Sequence, residues 1–273
     1  MELPTLIDDV EGENSEVLER ERNPDFVQAL ERGLAVIKAF SKERPSLTLS
    51  EVAKATGMTR AAARRFLITL EELGYVAQNE RKFTLRPTVL CLGYAYLSTL
   101  SFTDIAQPHM ESLNERVRES CSAAVLDGTE IVYVVRIPTK RIMNISLALG
   151  SRLPAYCTSM GRVLLADLAP DALEAFFEKA CLDPLTPCTV TDPDCLRTIL
   201  REVKRQGWAL VDQELEEGLR SIAAPICDRR GKVIAALNVS THVTRVSLEQ
   251  LQEEFLPQLI QTAKRISAEL PPS

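Results

Sequence analysis

The sequence predicts an α+β protein in two parts, a small helical module ending in a β-hairpin and a larger domain of mixed strands and helices. Three observations carry this. A length of 273 residues with 45% apolar content is enough for two ordinary cores. The hydrophobic period changes along the chain, from a spacing of three and four between Phe26 and Leu73 to alternation after Cys121. Charge is also divided: residues 1–25 carry 9 acids against 2 bases, residues 26–90 carry 6 against 11, and the rest 23 against 19. A basic module inside a chain of net charge −6 is the asymmetry of a protein that meets a polyanion with one part only.

Residues 1–25 are acidic, lack bulky apolar periodicity and run into Asn23-Pro24, so they read as a disordered or loosely docked arm. From Phe26 a stripe of Phe26, Val27, Leu30, Leu34, Ile37 and Phe40 predicts a helix with one buried face, ended by Pro45. LSEVAKATG predicts a short second helix, with Ser50 as N-cap and Gly57 as C-cap. TRAAARRFLITLEELGYV, residues 59–76, predicts a longer third helix. Thr59 caps it, Ala63, Phe66, Leu67, Leu70 and Leu73 face inward, and Gly74 stops it. YVAQ and KFTLRP around the charged turn NERK predict a β-hairpin. Helix, short helix, tight turn, longer helix and hairpin, spanning residues 26–87, is the layout of a winged helix-turn-helix.

Residues 88–101 predict a linking helix, and residues 102–273 a second domain. It opens on an amphipathic helix with stripe Ile105, His109, Leu113 and Val117. SAAVLDGTEIVYVVRI then predicts two strands about an Asp127-Gly128 turn, and RIMNISLALG a third. SMGRVLLADL, DALEAFFEKA and DCLRTILREVKRQG predict helices, IAAPICDRRGKVIAALNVS a hairpin turning at Gly231, and the chain closes on a helix from Leu248 to Leu270.

A helix that reads DNA exposes small residues where its backbone nears the groove and long donors where guanines or phosphates lie. Thr59, Arg60, Ala61, Arg64 and Arg65 meet both demands, whereas the same arginines alone would also suit a solvated helix face. The preceding short helix with Ser50, and a hairpin whose Asn79, Arg81 and Lys82 could reach flanking backbone or minor groove, favour double-stranded DNA as partner.

In the second domain GSRLPAYCTSMGRVLLADL is the informative run. Thr158 to Gly161 open a helix whose hydroxyls and free amides either cap that helix or offer a carboxylate site. Catalytic readings fare poorly: there are two histidines, His109 and His242, and no GxSxG elbow accompanies Ser159. Cys181, Cys188 and Cys195 recur every seven residues in turn-rich sequence without a nearby histidine, a weak zinc pattern, so neither metal nor cofactor is expected. The seven cysteines include no CxxC, the N-terminus has no basic or apolar leader, and no apolar run spans a bilayer. These features predict a cytoplasmic protein with reduced thiols and no membrane association.

The blocks ERGLAVIKAF, LTLSEVAKATGMTRAAARRFLITLEELGYV, RLPAYCTSMGRVLLA and GLRSIAAPICDRRGKVIAALNVS together resemble the IclR family of bacterial transcriptional regulators. TRAAARRFL and RLPAYCTSMGRVLLA are most similar to its PcaR/PcaU/PobR group, which controls aromatic-acid catabolism through the β-ketoadipate pathway. The resemblance implies a winged-helix domain and a GAF-like effector-binding domain in a homodimer or homotetramer on palindromic promoter DNA. It implies an effector pocket at Ser159, Met160 and Gly161, with Asp212, Ser221, Asn238 and Ser240, and Tyr156 beside them. Met160 is bulkier than the residue common there, which leaves the pocket contour open. The effector implied is a small carboxylate such as β-ketoadipate, protocatechuate or a related aromatic acid, with Arg152 or Arg220 as counter-charge or else at the surface. A ligand-responsive, sequence-specific DNA-binding regulator is thus the expected function, not an enzyme. The competing readings are a small-molecule enzyme fused to a helix-turn-helix module, and a ligand-free architectural protein.

Overall fold

The computed structural model describes residues 25–100, 102–139 and 147–271. They divide into two compact units between Gly93 and Tyr94.

In the first unit, α1 (Gln28–Lys38), α2 (Leu49–Thr56) and α3 (Arg60–Glu72) surround a core of Val36, Val52, Ala63, Leu67 and Leu70. β1 (Ser46–Thr48), β2 (Val76–Asn79) and β3 (Lys82–Leu85) form an antiparallel sheet in the order β1-β3-β2. Leu47, Val76 and Phe83 close the core from that side. Strand β1, three residues long, is too short to show a period in the sequence and leads directly into α2.

Two details of the expected helices are corrected. The cap of α2 is Thr48, not Ser50: Thr48 Oγ1 accepts the Glu51 amide at 3.3 Å, and Glu51 Oε2 accepts the Thr48 amide at 2.7 Å. This reciprocal box satisfies two helix-end donors and leaves Ser50 exposed inside the helix. The buried face of α1 is also displaced. Val36 and Ala39 are buried and Ile37 and Phe40 of the expected stripe pack against the core, while Phe26, Val27, Leu30 and Leu34 are exposed. Leu73, past the end of α3, is exposed rather than inward.

Helix α4 (Leu90–Leu97), preceded by a 3-10 turn at Pro87–Val89, carries the chain across the boundary where a linking helix was expected. The second unit is built on a six-stranded antiparallel sheet in the order β6-β5-β4-β9-β8-β7. Its strands are β4 (Ser120–Asp127), β5 (Glu130–Ile137), β6 (Arg152–Pro154), β7 (Ala209–Asp212), β8 (Leu219–Cys227) and β9 (Val233–His242). One face packs on α5 (Phe102–Val117) and on the C-terminal run of α9 (Leu248–Gln250), a π turn Leu251–Phe255 and α10 (Leu256–Glu269). On α5 the buried residues are Phe102, Ala106, Met110, Leu113 and Val117; His109, expected inward, instead pairs at the margin with Glu269 at 3.0 Å.

The other face packs on α6 (Ser159–Ala166), α7 (Pro170–Lys179) and α8 (Pro193–Gln206). Because successive strand residues point to opposite faces, Ile222 and Ala224 of β8 belong to the first core and Ala223 to the second. The single tryptophan, Trp208, packs with the first core, just ahead of β7. The strand expected at RIMNISLALG falls mostly on residues 140–146, outside the described residues, and the edge position is taken by β6.

Candidate functional site

Two surfaces gather the chemistry, one in each unit. In the first, Thr59 begins α3, its hydroxyl accepting the Ala62 amide at 3.2 Å. Capping fixes where the helix starts, and the 3.6-residue turn then decides what it shows: Ala63, Leu67 and Leu70 are buried while Arg60, Ala61, Arg64 and Arg65 are exposed. Gly57, at φ +64, makes the left-handed turn between α2 and α3. In the hairpin, Asn79 pairs with Lys82 across a two-residue turn, and Glu80 there takes φ +56. Asn79, Arg81 and Lys82 are all exposed. Glu71 Oε1 accepts the Gln78 amide at 3.1 Å, so this carboxylate braces the hairpin against α3 and is turned from the arginine face.

In the second unit a small pocket lies between the N-terminus of α6 and strands β7, β8 and β9. Its polar lining is Thr158, Ser159, Ser221, Asn238 and Ser240; its apolar lining is Tyr133, Met160, Val211, Leu215 and Leu219, with Cys157 beside them. Strand pairing brings the hydroxyls together, since Ser221 of β8 lies opposite Ser240 of β9. The Ser221 hydroxyl donates to Ser159 Oγ at 2.9 Å, and Asn238 Nδ2 donates to Ser240 Oγ at 2.9 Å. Asn238 Oδ1 accepts the Ser122 amide at 3.1 Å, which fixes the side-chain amide. The Thr158 hydroxyl caps α6 by accepting the Gly161 amide at 3.2 Å, leaving the first-turn amides of Ser159 and Met160 at the pocket end of the helix dipole. A Cβ on Gly161 would fall inside the Ala155 carbonyl, so only glycine lets α6 sit this close to the preceding turn.

Among the described residues no arginine or lysine lines this pocket. Burial pushes the Cys157 thiol up to about 11 and the Tyr133 hydroxyl up to about 12, so both walls are neutral at physiological pH. An anion here would be met by backbone amides, hydroxyls and the helix dipole.

Of the residues that resemblance implied for the pocket, the structure brings together Ser159, Met160, Ser221, Asn238 and Ser240, with Gly161 directly behind them. The others lie elsewhere. Arg152, on edge strand β6, is ion-paired at 2.7 Å to both Asp127 and Glu130, which hold its guanidinium above its ordinary value. The Tyr156 hydroxyl donates to the Asp183 carbonyl at 2.5 Å. Asp212 and Arg220 pair with each other at 2.9 Å, and Arg220 also donates to the Val246 carbonyl at 3.0 Å. Both lie on the sheet face opposite the pocket, because Arg220 precedes Ser221 on the same strand. Neither arginine is a counter-charge in the pocket. Leu219 and Val211 were missed, although counting back by two from Ser221 and Ala209–Val211 on the paired strand finds them. Leu215 had no periodic signal, as it lies outside any strand.

His242 is held by Thr244, with Nδ1 and Oγ1 2.8 Å apart, and no group of three metal-ligating side chains occurs among the described residues. No single helix among them is long and apolar enough to cross a membrane.

A basic helix-turn-helix with a hairpin wing, followed by a domain holding a small polar-ended pocket, defines the class of ligand-responsive DNA-binding regulators. Residues 29–80 match the IclR helix-turn-helix domain, and residues 94–268 match the C-terminal domain of the bacterial transcriptional regulator IclR. The chain belongs to the IclR family of bacterial transcriptional regulators. It is 45% identical to the Pca regulon regulatory protein of Pseudomonas putida, over 91% of this chain and 86% of that one. A solved transcriptional regulator from Rhodococcus sp. RHA1 is 52% identical, with a TM-score of 0.81 over 90% of this chain and 98% of that one. An IclR homolog from Microbacterium hydrocarbonoxydans, solved in complex with 4-hydroxybenzoate, is 27% identical, with a TM-score of 0.79 over 88% of this chain and 98% of that one.

Proposed function

We propose that the chain regulates genes of aromatic-acid catabolism, binding promoter DNA through α3 and the hairpin and an aromatic carboxylate in the pocket beside α6. The observation that carries the effector reading is the convergence of Ser159, Ser221, Asn238 and Ser240 on the amide end of α6, opposite an apolar wall. Such a site takes one carboxylate at its polar end and a ring at its apolar end. With no cation among the described lining residues, a second carboxylate would find no partner among them, which favours protocatechuate or a hydroxybenzoate over β-ketoadipate. The similarity to the Pca regulon protein and to the 4-hydroxybenzoate complex supports the same substrate class.

On the DNA side, Thr59, Arg60, Ala61, Arg64 and Arg65 enter the major groove, Ser50 meets a flanking phosphate, and Asn79, Arg81 and Lys82 reach the adjacent backbone or minor groove. Residues 26–87 form the DNA-binding domain, 88–101 the linker and 102–273 the effector domain. The protein works in the cytoplasm as a homodimer or homotetramer. The exposed stripe of Leu30 and Leu34 on α1, with Phe26 and Val27 just ahead of it, is apolar surface of the kind that self-association covers. It acts by binding rather than catalysis, as neither His109 nor His242 is among the residues that line the pocket.

Calorimetry of the purified protein against protocatechuate, 4-hydroxybenzoate and β-ketoadipate, paired with gel shifts on the DNA flanking its gene, tests this. An aromatic acid that binds and alters the shift supports the reading. Binding of none of the three below about millimolar, which is about 4 kcal/mol of affinity, would sink it.

A further inference from the structure

The pocket beside α6 is narrow. Its free volume of about 20 Å³ holds a single water, whereas a cavity of roughly 150 Å³ is needed for a benzene ring. A ring-bearing acid therefore enters only if a wall moves, and the walls differ in what holds them. Strands β8 and β9 are paired from Leu219–His242 to Cys227–Val233, and α6 is lodged against the Ala155 carbonyl at Gly161. Of the other described lining residues, Tyr133 stands on β5 and Val211 on β7, whereas the segment 213–218 between β7 and β8 places Leu215 on the pocket and is neither helix nor strand. Its ends are pivots of positive φ, +61 at Gln213 and +82 at Gly218, drawn together by the Gln213 amide donating to the Leu219 carbonyl at 2.7 Å.

Polar contacts tie this segment to three places, the first at its hinge, where the Val243 amide donates to the Gly218 carbonyl at 2.8 Å. Glu214 Oε2 accepts from Arg162 Nη2 at 2.6 Å and from the Val190 amide at 3.1 Å. The Thr189 hydroxyl donates to the Glu214 carbonyl, and the Thr186 hydroxyl to the Gln213 carbonyl, each at 2.6 Å. Arg162 lies on α6 immediately after the pocket residues, and its Nε donates to the Tyr156 carbonyl at 3.0 Å. The Arg162 and Glu214 side chains are 3% and 8% exposed, so this ion pair is a buried junction.

We infer that segments 213–218 and 186–190 form one lid over the effector pocket, and that Arg162 is the positioning residue that latches it, through Glu214, to the turn and helix that carry the pocket hydroxyls. Opening draws Leu215 away and separates two charges held out of water, so the open state is a minor one and effector exchange follows lid opening rather than diffusion. The same contacts carry occupancy of the pocket outward to residues 186–190. The purpose of the lid rests on the effector reading; its mechanics do not.

Hydrogen exchange of the full-length protein without effector tests the mechanics. Amides of 213–218 and 186–190 exchange together, and faster than those of β8 and β9. Glu214→Gln speeds both segments by a common factor of roughly ten or more, the weight of a charge-assisted bond lost, with β9 unchanged. Acceleration of 213–218 alone, or of neither segment, overturns the inference. Should Glu214→Gln loosen β9 as well, Thr189→Val decides, since it spares the ion pair: both segments accelerate if they move as one, and 186–190 alone if they do not. Stopped-flow mixing with 4-hydroxybenzoate supplies the second readout. The association rate rises in Glu214→Gln more than the equilibrium affinity changes, and an unchanged rate overturns the gating role. Absence of 4-hydroxybenzoate binding beside an intact exchange pattern counts against the effector reading alone.

Discussion

Replacing Gly161 by Ala sets two effects of opposite sign against each other. An alanine inside α6 gains about 1 kcal/mol of helix propensity over glycine. Against this, the added methyl meets the Ala155 carbonyl oxygen, carbonyl carbon and Cα, which are backbone atoms that cannot rotate aside. Overpacking of this kind costs about 1–3 kcal/mol, and backbone neighbours put it at the upper end, so the net loss is about 2 kcal/mol. At roughly 2–4 °C per kcal/mol for a domain of this size, Gly161→Ala lowers Tm by about 4–8 °C. Circular dichroism melts of the full chain, with urea titrations to confirm an unchanged m-value, measure it. A rise in Tm, as helix propensity alone would give, refutes the close approach and with it the placement of Ser159 beside Ser221. In the same variant α6 withdraws from the turn at Ala155, and affinity for an aromatic acid falls further than stability accounts for.

Arg64→Ala and Arg65→Ala each weaken promoter binding in fluorescence anisotropy. A side chain that neutralises phosphate reduces the log-log salt slope by about 0.9 per contact, while one that reads a base edge leaves the slope alone. No weakening in either variant removes α3 from the groove. Thr48→Ala, which dismantles the capping box of α2, destabilises the first unit by about 1 kcal/mol, read from the urea midpoint. At the pocket, burial pushes the Tyr133 hydroxyl up to about 12. Its folded value thus lies above the unfolded value of about 10, so its contribution is whole below about pH 10 and lost as pH rises through 12. Tyr133→Phe flattens that part of the alkaline stability profile, and an unchanged slope in urea titrations between those pH values contradicts the burial.

Much of the fold was legible because its signals are local. Periodicity located α3, α5 and α8, and Thr59, Gly57 and Gly74 marked helix ends by chemistry that acts within one turn. The errors came where the sequence allowed two answers. In α1 the apolar stripe divides: Ile37 and Phe40 pack on the core beside Val36 and Ala39, while Phe26, Val27, Leu30 and Leu34 stay exposed, and apolar spacing alone does not separate the two sets. At α2 both Thr48 and Ser50 could cap, and reciprocity with Glu51 selects Thr48. For the pocket, hydroxyls on β8, β9 and α6 were found by resemblance, yet the choice of Arg220 ignored that a residue adjacent to Ser221 in a strand faces the other way. Leu215, on an irregular segment, carries no periodic signal that would place it there.

Trp208 packs against the α5 and α10 side of the sheet, while the pocket opens on the α6 side. An acid in the pocket cannot touch the indole and has no direct path to quench it. As the sole tryptophan, it is a built-in optical witness placed behind the wall: any change in its emission when an effector is added reports motion that has crossed the sheet.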